Sequence, residues 1–359
     1  RRSTAQDGQA FSGTAKQMSI WWLLPAVVGV SLFMTGALRR YALARSLMDI
    51  PNARSSHSVP TPRGGGVAIV VSFLLALPLM AGMGFIAWPL AWALLGAGSG
   101  IAVLGFLDDH GHIAARWRLL GHFVAAVWAL YWLGGLAPLA IGDSLVDLGW
   151  IGHVLAAFYL VWLLNLYNFM DGIDGIASVE AICVCLGGAV LYTLTGMSSP
   201  LTQSGELPLL MLSACVAAFL VWNFPPARIF MGDAGSGFLG IMLGILSLQA
   251  GWVDSVLFWA WLILLGVFIV DATVTLFRRL LRREKVYEAH RSHAYQYAAR
   301  QTGKHLPVTM AVLVINLFWL FPMAALVSLG WLDGLLGLLL AYTPLVLLAI
   351  RFNAGKLEN

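Results

Sequence analysis

Residues 151–194 read IGHVLAAFYLVWLLNLYNFMDGIDGIASVEAICVCLGGAVLYTL. The first twenty residues hold no Asp, Glu, Lys or Arg. Two aspartates follow, Asp171 and Asp174, each with a glycine behind it, and then a second apolar run broken only by Glu180. About 20 apolar residues make a helix long enough to cross a bilayer. A charge beside hydrocarbon is costly, so the aspartates mark a turn at the membrane surface and require a chemical reason.

The rest of the chain repeats this pattern. Its 359 residues are 60% hydrophobic and 11% charged, with a mean hydropathy of +0.82. Soluble domains hold about 25% charged residues, so a soluble or secreted enzyme is excluded. Cys183, Cys185 and Cys215 all lie in apolar runs, without zinc spacing or a disulfide framework.

The apolar runs predict an all-α, polytopic membrane protein with about eleven transmembrane helices. They are placed near 18–38, 67–87, 89–107, 119–139, 149–168, 174–196, 207–224, 235–250, 253–277, 306–330 and 333–351. One transmembrane domain, 18–351, is expected between a polar tail (1–17) and a short tail (352–359). The tail 1–17 is read as disordered or as a processing remnant and is kept out of the fold.

Charge sorts the connections into two sets. One set holds 18 of the 21 Lys and Arg, and the other three lie in the 1–17 tail. The opposite connections carry only Asp143, Asp147, Glu206, Asp254 and Asp333. The positive-inside rule makes the basic set cytoplasmic, with the N-terminus outside and the C-terminus inside. Every polar, Gly-rich motif falls on that cytoplasmic side, in loops 39–66, 108–118, 168–174, 224–234 and 278–305.

Asp108 and Asp109 end one helix, Asp171 and Asp174 precede another, and Asp233 precedes a third. Convergent carboxylates repel one another unless a cation intervenes. Hard oxygen ligands suit Mg²⁺, with Mn²⁺ as a substitute, held by one or two carboxylates plus substrate phosphates. Asp171 and Asp174 could cap a helix; capping explains one loop but not three on one side. An EF-hand is excluded, because Ile173 and Ile182 stand where ligands are required. Gly232, Gly235 and Gly237 around a helix start could present backbone N–H groups to an anion. The glycines at 64–66 could be no more than a flexible helix entry.

Among the cations, Arg63 and Arg291 lie inside Gly- and His-rich motifs, and Arg forks match phosphate oxygens. His290 and His293, spaced i, i+3, would share a face on a helical turn. Arg278 to Lys285 read as topological charge or headgroup attraction. Glu180 and Asp271 are intramembrane acids, with pairing to inner arginines as good a reading as catalysis. A transporter of an anionic solute would need ionisable groups through the outer half of the bilayer, which is nearly free of them.

The stretches PNARSSHSVPTPRGGG, GFLDDH, NLYNFMDGIDGIA, FPPARIFMGDAGS and HRSHAYQ occur in this order. In these motifs, from about residue 18 to 300, the sequence resembles the polyprenyl-phosphate N-acetylhexosamine-1-phosphate transferases. The resemblance implies transfer of the phosphosugar of a UDP-N-acetylhexosamine to undecaprenyl phosphate, with release of UMP and a requirement for Mg²⁺. It implies a multi-pass protein of the bacterial inner membrane, with the active site on the cytoplasmic face. Membrane lipid is a partner, nucleic acid is not, and a homodimer is allowed.

By motif, Asp108 resembles the residue that engages the lipid phosphate, and Asp109 is its neighbour. Asp233 resembles the metal-binding aspartate. Asn168, Asp171 and Asp174 match the segment that forms the nucleotide and metal site, with Asp174 a second metal ligand. Asn223 matches a nucleotide contact. His290, Arg291 and His293 match the basic loop near the sugar and diphosphate, and Arg54 and Arg63 are expected on the substrate. The last loop, AHRSHAYQ, lacks the run of adjacent histidines of the peptidoglycan branch. It looks more like enzymes that start O-antigen or other surface polysaccharides, which implies a UDP-GlcNAc, FucNAc or QuiNAc donor. A phospho-MurNAc-pentapeptide transferase is the alternative.

Overall fold

The computed structural model describes residues 3–51, 59–111, 113–195, 200–284 and 291–356, with side chains described from Trp22 onward and, after the gap at 196–199, from Gly205. Helices dominate. They are α1 (Ser3–Ala44, its apolar part Trp22–Ala44), α2 (Val67–Gly82), α3 (Trp88–His110), α4 (Ala115–Leu133) and α5 (Gly149–Met170). Then come α6 (Ile176–Leu194), α7 (Pro200–Asn223, its apolar part Gly205–Asn223), α8 (Asp233–Val253), α9 (Ser255–Leu264) and α10 (Gly266–Leu281). The last are α11 (Ala294–Thr302), α12 (Leu306–Ile315), α13 (Phe321–Ser328) and α14 (Gly334–Arg351). In hydrocarbon every backbone group must be satisfied within its own segment, which is why the long apolar runs become helices.

Among the described residues, eight helices are long and apolar enough to cross a bilayer, or nine if the bent pair α9–α10 is one span. The protein is therefore a multi-pass, all-α membrane protein. Helices occur at all eleven expected positions, but α2, with 16 residues, and α4, whose first turn carries Arg116 and Arg118, are not among the eight or nine. The expected helix 253–277 is two helices bent by 68° at Leu265. The expected helix 306–330 contains a π-helical turn, Asn316–Leu320, between α12 and α13.

Two small antiparallel pairs complete the fold. β1 (Met48–Asp49) pairs with β2 (Thr61–Pro62), and β3 (Leu139–Ile141) with β4 (Ser144–Val146) through a turn at Gly142. Two acids of the connections that lack Lys and Arg serve as local structure. Asp254 caps α9 by accepting from Val256 N at 3.0 Å, and Asp333 caps α14 by accepting from Leu336 N at 3.0 Å.

α8 is the central helix, buried along nearly its whole length and packed on α3 and α5. Glycine permits this approach. A Cβ at Gly240 would lie 2.7 Å from the Leu164 Cα of α5. Small residues at such crossings are how membrane helices come close without a solvent-driven force. The crossing sets the start of α8 beside the ends of α3 and α5, where the acidic motifs lie.

Candidate active site

The two adjacent aspartates of α3 face different partners. Asp108, half-buried, is paired with Arg118 of α4 and accepts from Ile113 N at 2.9 Å. Asp109 is buried and turned to the start of α8, where it accepts from the backbone N–H groups of Asp233 and Ala234, both at 3.3 Å. A carboxylate is favourable at a helix N-terminus. Gly232 makes room for it: its φ is +78°, and a Cβ there would meet Asp109 Oδ2 at 2.8 Å. The anion at the start of α8 is thus supplied by the chain itself.

The triple-glycine segment is not a loose entry to α2. Gly65 and Gly66 donate to Phe230 O and Met231 O, both at 2.9 Å, and Phe230 N donates to Pro62 O at 2.8 Å. This pairing fixes the loop that ends in Asp233. Arg63, exposed at the same segment, donates to the Asp109 carbonyl rather than to a carboxylate.

At the end of α5, Asn168 Nδ2 donates to Ser236 Oγ at 3.0 Å and the Asn168 side chain also hydrogen-bonds the Asp233 carboxyl. Asp171 caps α5 at its C-terminal end. The residue keeps some exposure, yet burial of its carboxyl, then the fields of Asp233, Asp109 and Asp174, push that carboxyl well above the usual carboxylate range.

Asp174 has partners on both oxygens. Oδ2 accepts from Ala227 N at 3.0 Å and Oδ1 lies 3.1 Å from His305 Nδ1. Thr309 of α12 donates to the Asp174 carbonyl at 2.8 Å. Asn223 is buried and joins the same loops: its Oδ1 accepts from Gly175 N at 3.0 Å and its Nδ2 donates to Ile229 O at 3.0 Å. Both act here as ties between loops, and no sequence motif pointed to His305.

The last basic loop also differs from expectation. His293 is not on a helical turn: it is the extended N-cap of α11, with φ −69° and ψ 150°, and it is buried. Its backbone N–H donates to Gln296 Oε1 at 3.3 Å, and its Nδ1 lies 3.4 Å from Asp271 Oδ1. Among the described residues Asp271 does not pair with an arginine; it accepts from Ala294 N at 2.9 Å and Tyr295 N at 3.0 Å. Glu180 pairs with Asn316 and, among the described residues, with no arginine. Arg291 is half-buried and its carbonyl accepts from Arg300. Arg54 and His290 lie outside the described residues.

Two cavities border these residues. One, of about 180 Å³, is lined by Asp108, Arg118, Asn168 and Asp233 together with the apolar Ile101, Leu104, Leu119 and Leu164. His122 lines it too and hydrogen-bonds Asn165 at 3.2 Å. The second, of about 450 Å³, is lined by Thr61, Asp174, Pro225, Phe230, Lys304 and His305. Arg63, Asp109, Asp171, Asn223, Arg291 and His293 line neither of these two.

Among the described residues no three His, Cys, Asp or Glu side chains are placed to hold a metal ion by themselves. Asp171 and Asp233 nevertheless offer hard oxygen donors in mutual repulsion. That donor set fits a cation completed by substrate oxygens rather than by a protein cage.

A family model, Glycosyl transferase family 4, matches residues 91–251, which include Asp108, Asp171 and Asp233. The chain is 31% identical over 307 residues to the Probable undecaprenyl-phosphate N-acetylglucosaminyl 1-phosphate transferase of Bacillus subtilis (strain 168), covering 82% of this chain and 81% of that protein. It is 29% identical over 271 residues to the Decaprenyl-phosphate N-acetylglucosaminephosphotransferase of Mycolicibacterium smegmatis (strain ATCC 700084 / mc(2)155), covering 69% of this chain and 66% of that protein. It is 33% identical over 203 residues to the Phospho-N-acetylmuramoyl-pentapeptide-transferase of Moorella thermoacetica (strain ATCC 39073 / JCM 9320), covering 53% of this chain and 61% of that protein. With motifs in order, carboxylates gathered at one end of the bundle and a relative matched over most of both lengths, the chain belongs to the polyprenyl-phosphate N-acetylhexosamine-1-phosphate transferase family.

Proposed function

We propose that this protein transfers N-acetylhexosamine 1-phosphate from a UDP-N-acetylhexosamine to undecaprenyl phosphate at the cytoplasmic face of a bacterial inner membrane. An oxygen of the lipid phosphate attacks the β-phosphorus of the donor. The bond from that phosphorus to the bridging oxygen breaks, and UMP leaves. The observation that carries this reading is the smaller cavity, whose lining combines the polar Asp108, Arg118, Asn168 and Asp233 with the apolar Ile101, Leu104, Leu119 and Leu164. A phosphate joined to an isoprenoid needs both.

Arg118 supplies positive charge to the lipid phosphate and keeps Asp108 in place through their ion pair. The lipid phosphate is ionised near neutral pH, so Asp108 orients it and need not act as a strong base. Asn168 holds Asp233 in position. Asp233 and Asp171 are the residues that would hold Mg²⁺, which when bound neutralises charge at the phosphates. Asp174, with both oxygens engaged, shapes the larger cavity, whose volume suits the nucleotide part of the donor.

The donor is read as UDP-GlcNAc or a 6-deoxy relative of FucNAc or QuiNAc type, serving O-antigen or another surface polysaccharide. The relatives named for N-acetylglucosamine support the first of these donors, and the 6-deoxy donors and the polysaccharide role rest on the AHRSHAYQ loop alone. The phospho-MurNAc-pentapeptide reading has the Moorella relative on its side, matched over about half the chain. Purified protein with undecaprenyl phosphate and, singly, UDP-GlcNAc, UDP-FucNAc, UDP-QuiNAc and UDP-MurNAc-pentapeptide separates them by UMP release. One of the first three is expected to react. Turnover of the pentapeptide donor alone would replace the surface-polysaccharide reading with the peptidoglycan one.

A further inference from the structure

Glu180, in the second turn of α6, lines neither cavity and is fully buried. Asn316, at the head of the π-helical turn, donates through Nδ2 to Glu180 Oε2 at 2.7 Å. The same nitrogen donates to Val312 O at 3.1 Å, which fixes the orientation of the amide. The backbone N–H of Phe268 also bonds the Glu180 carboxyl. Phe268 is the third residue of α10, just past the 68° bend. The α10 ladder resumes only with Ile269 N donating to Leu265 O at 3.0 Å. The first N–H groups of a helix have no partner within it, and inside a membrane bundle the protein must provide one. Glu180 does so at the bend.

Two atoms of this cluster remain without a hydrogen bond, Glu180 Oε1 and Asn316 Oδ1. They are the second oxygens of two groups already joined by one bond, and both are acceptors if Glu180 is ionised. Among the described residues no Arg, Lys or His forms an ion pair with Glu180. Its titratable neighbours are Tyr167, Cys183 and Tyr342, which carry no positive charge. An ionised carboxylate here would be a buried charge without a counter-charge. One proton on Oε1 removes the charge and turns Oε1–H into a donor for Asn316 Oδ1, completing a ring of two hydrogen bonds.

We propose that Glu180 is a positioning residue: as a neutral carboxylic acid it closes this ring with Asn316 and holds the start of α10, so setting the bend from which the cytoplasmic end of the site hangs. The path from the bend to the site is a chain of hydrogen bonds. Three residues beyond Phe268, Asp271 receives the first N–H groups of α11 from Ala294 and Tyr295. Tyr295 OH then donates to Phe169 O at 2.9 Å, next to Asn168 in the smaller cavity.

The test compares the full-length protein with Glu180→Gln and Glu180→Leu. In the infrared difference between wild type and Glu180→Gln at neutral pH, a carbonyl band of a protonated carboxyl is expected in the wild type only. Its absence overturns the neutral acid. Gln can donate where the acid did, so hydrogen exchange across residues 294–302 should stay as in the wild type for Glu180→Gln. It should rise at least about 10-fold for Glu180→Leu, the scale of losing one hydrogen bond to a buried group. Equal exchange in all three proteins, or a rise in Glu180→Gln as large as in Glu180→Leu, overturns the positioning role. The kinetic arm rests on the transferase reading: kcat should fall about 10-fold or more in Glu180→Leu with the donor KM little changed, and recover in Glu180→Gln. A wild type without turnover would count against the transferase reading alone, because the infrared and exchange results decide the role of Glu180 without it.

Discussion

Asp233 sits where three constraints meet: the Gly232 turn, the Asn168 side chain and the Asp109 carboxylate that receives its N–H. Asp233→Asn keeps the shape and the helix start but removes the negative oxygen. It should lower kcat by at least about 100-fold, the scale of removing one preorganised electrostatic contact, with an unchanged melting temperature. His305→Ala removes the partner of Asp174 Oδ1. His305 Nδ1 also accepts from Asp174 N at 3.3 Å, and one such hydrogen bond contributes about 0.5–1.5 kcal/mol, so the donor KM should rise up to roughly 10-fold while the lipid KM holds; initial-rate kinetics with each substrate varied would show it. The residue types of the site were legible in the sequence, because acids and arginines beside apolar runs have few other reasons to be there. Their partners were not. That Asp109 would cap α8, or that Asp174 would meet His305 across 131 positions, depends on how distant helices cross.

The long apolar helices were equally legible, since about 20 apolar residues leave few alternatives in a bilayer. The break at Leu265 was hidden because Gly266 follows it, and glycine is common in membrane helices that do not bend. α11 was hidden because it is short, polar and capped by His293 and Gln296, outside the usual Ser, Thr, Asp and Asn signals. The β3–β4 hairpin sits in a connection that carries no motif. Packing of α8 against α5 through Gly240 yields its own check. Gly240→Val should lower stability by about 1–3 kcal/mol as an overpacked crossing. Gly29→Ala, in α1 with no atom within 4 Å of the added Cβ, should not. Thermal unfolding of both variants in the same detergent would compare them.

For the molecule as a whole, the apolar bundle brings together three helix ends from distant parts of the chain, those of α3, α5 and α8, and the proposed site lies where they meet. The carboxylates there repel one another in the absence of a cation. Chelation with EDTA should therefore abolish turnover and added Mg²⁺ restore it; turnover that persists in EDTA would remove the metal from the mechanism. The decisive question is which bond breaks. UDP-GlcNAc, or whichever donor reacts, would be radiolabelled at the β-phosphorus and incubated with the protein, undecaprenyl phosphate and Mg²⁺. Attack at that phosphorus places the label in the lipid product and leaves unlabelled UMP. If the label stays in released UDP while sugar reaches the lipid, the protein transfers sugar alone, and the phosphosugar mechanism is wrong.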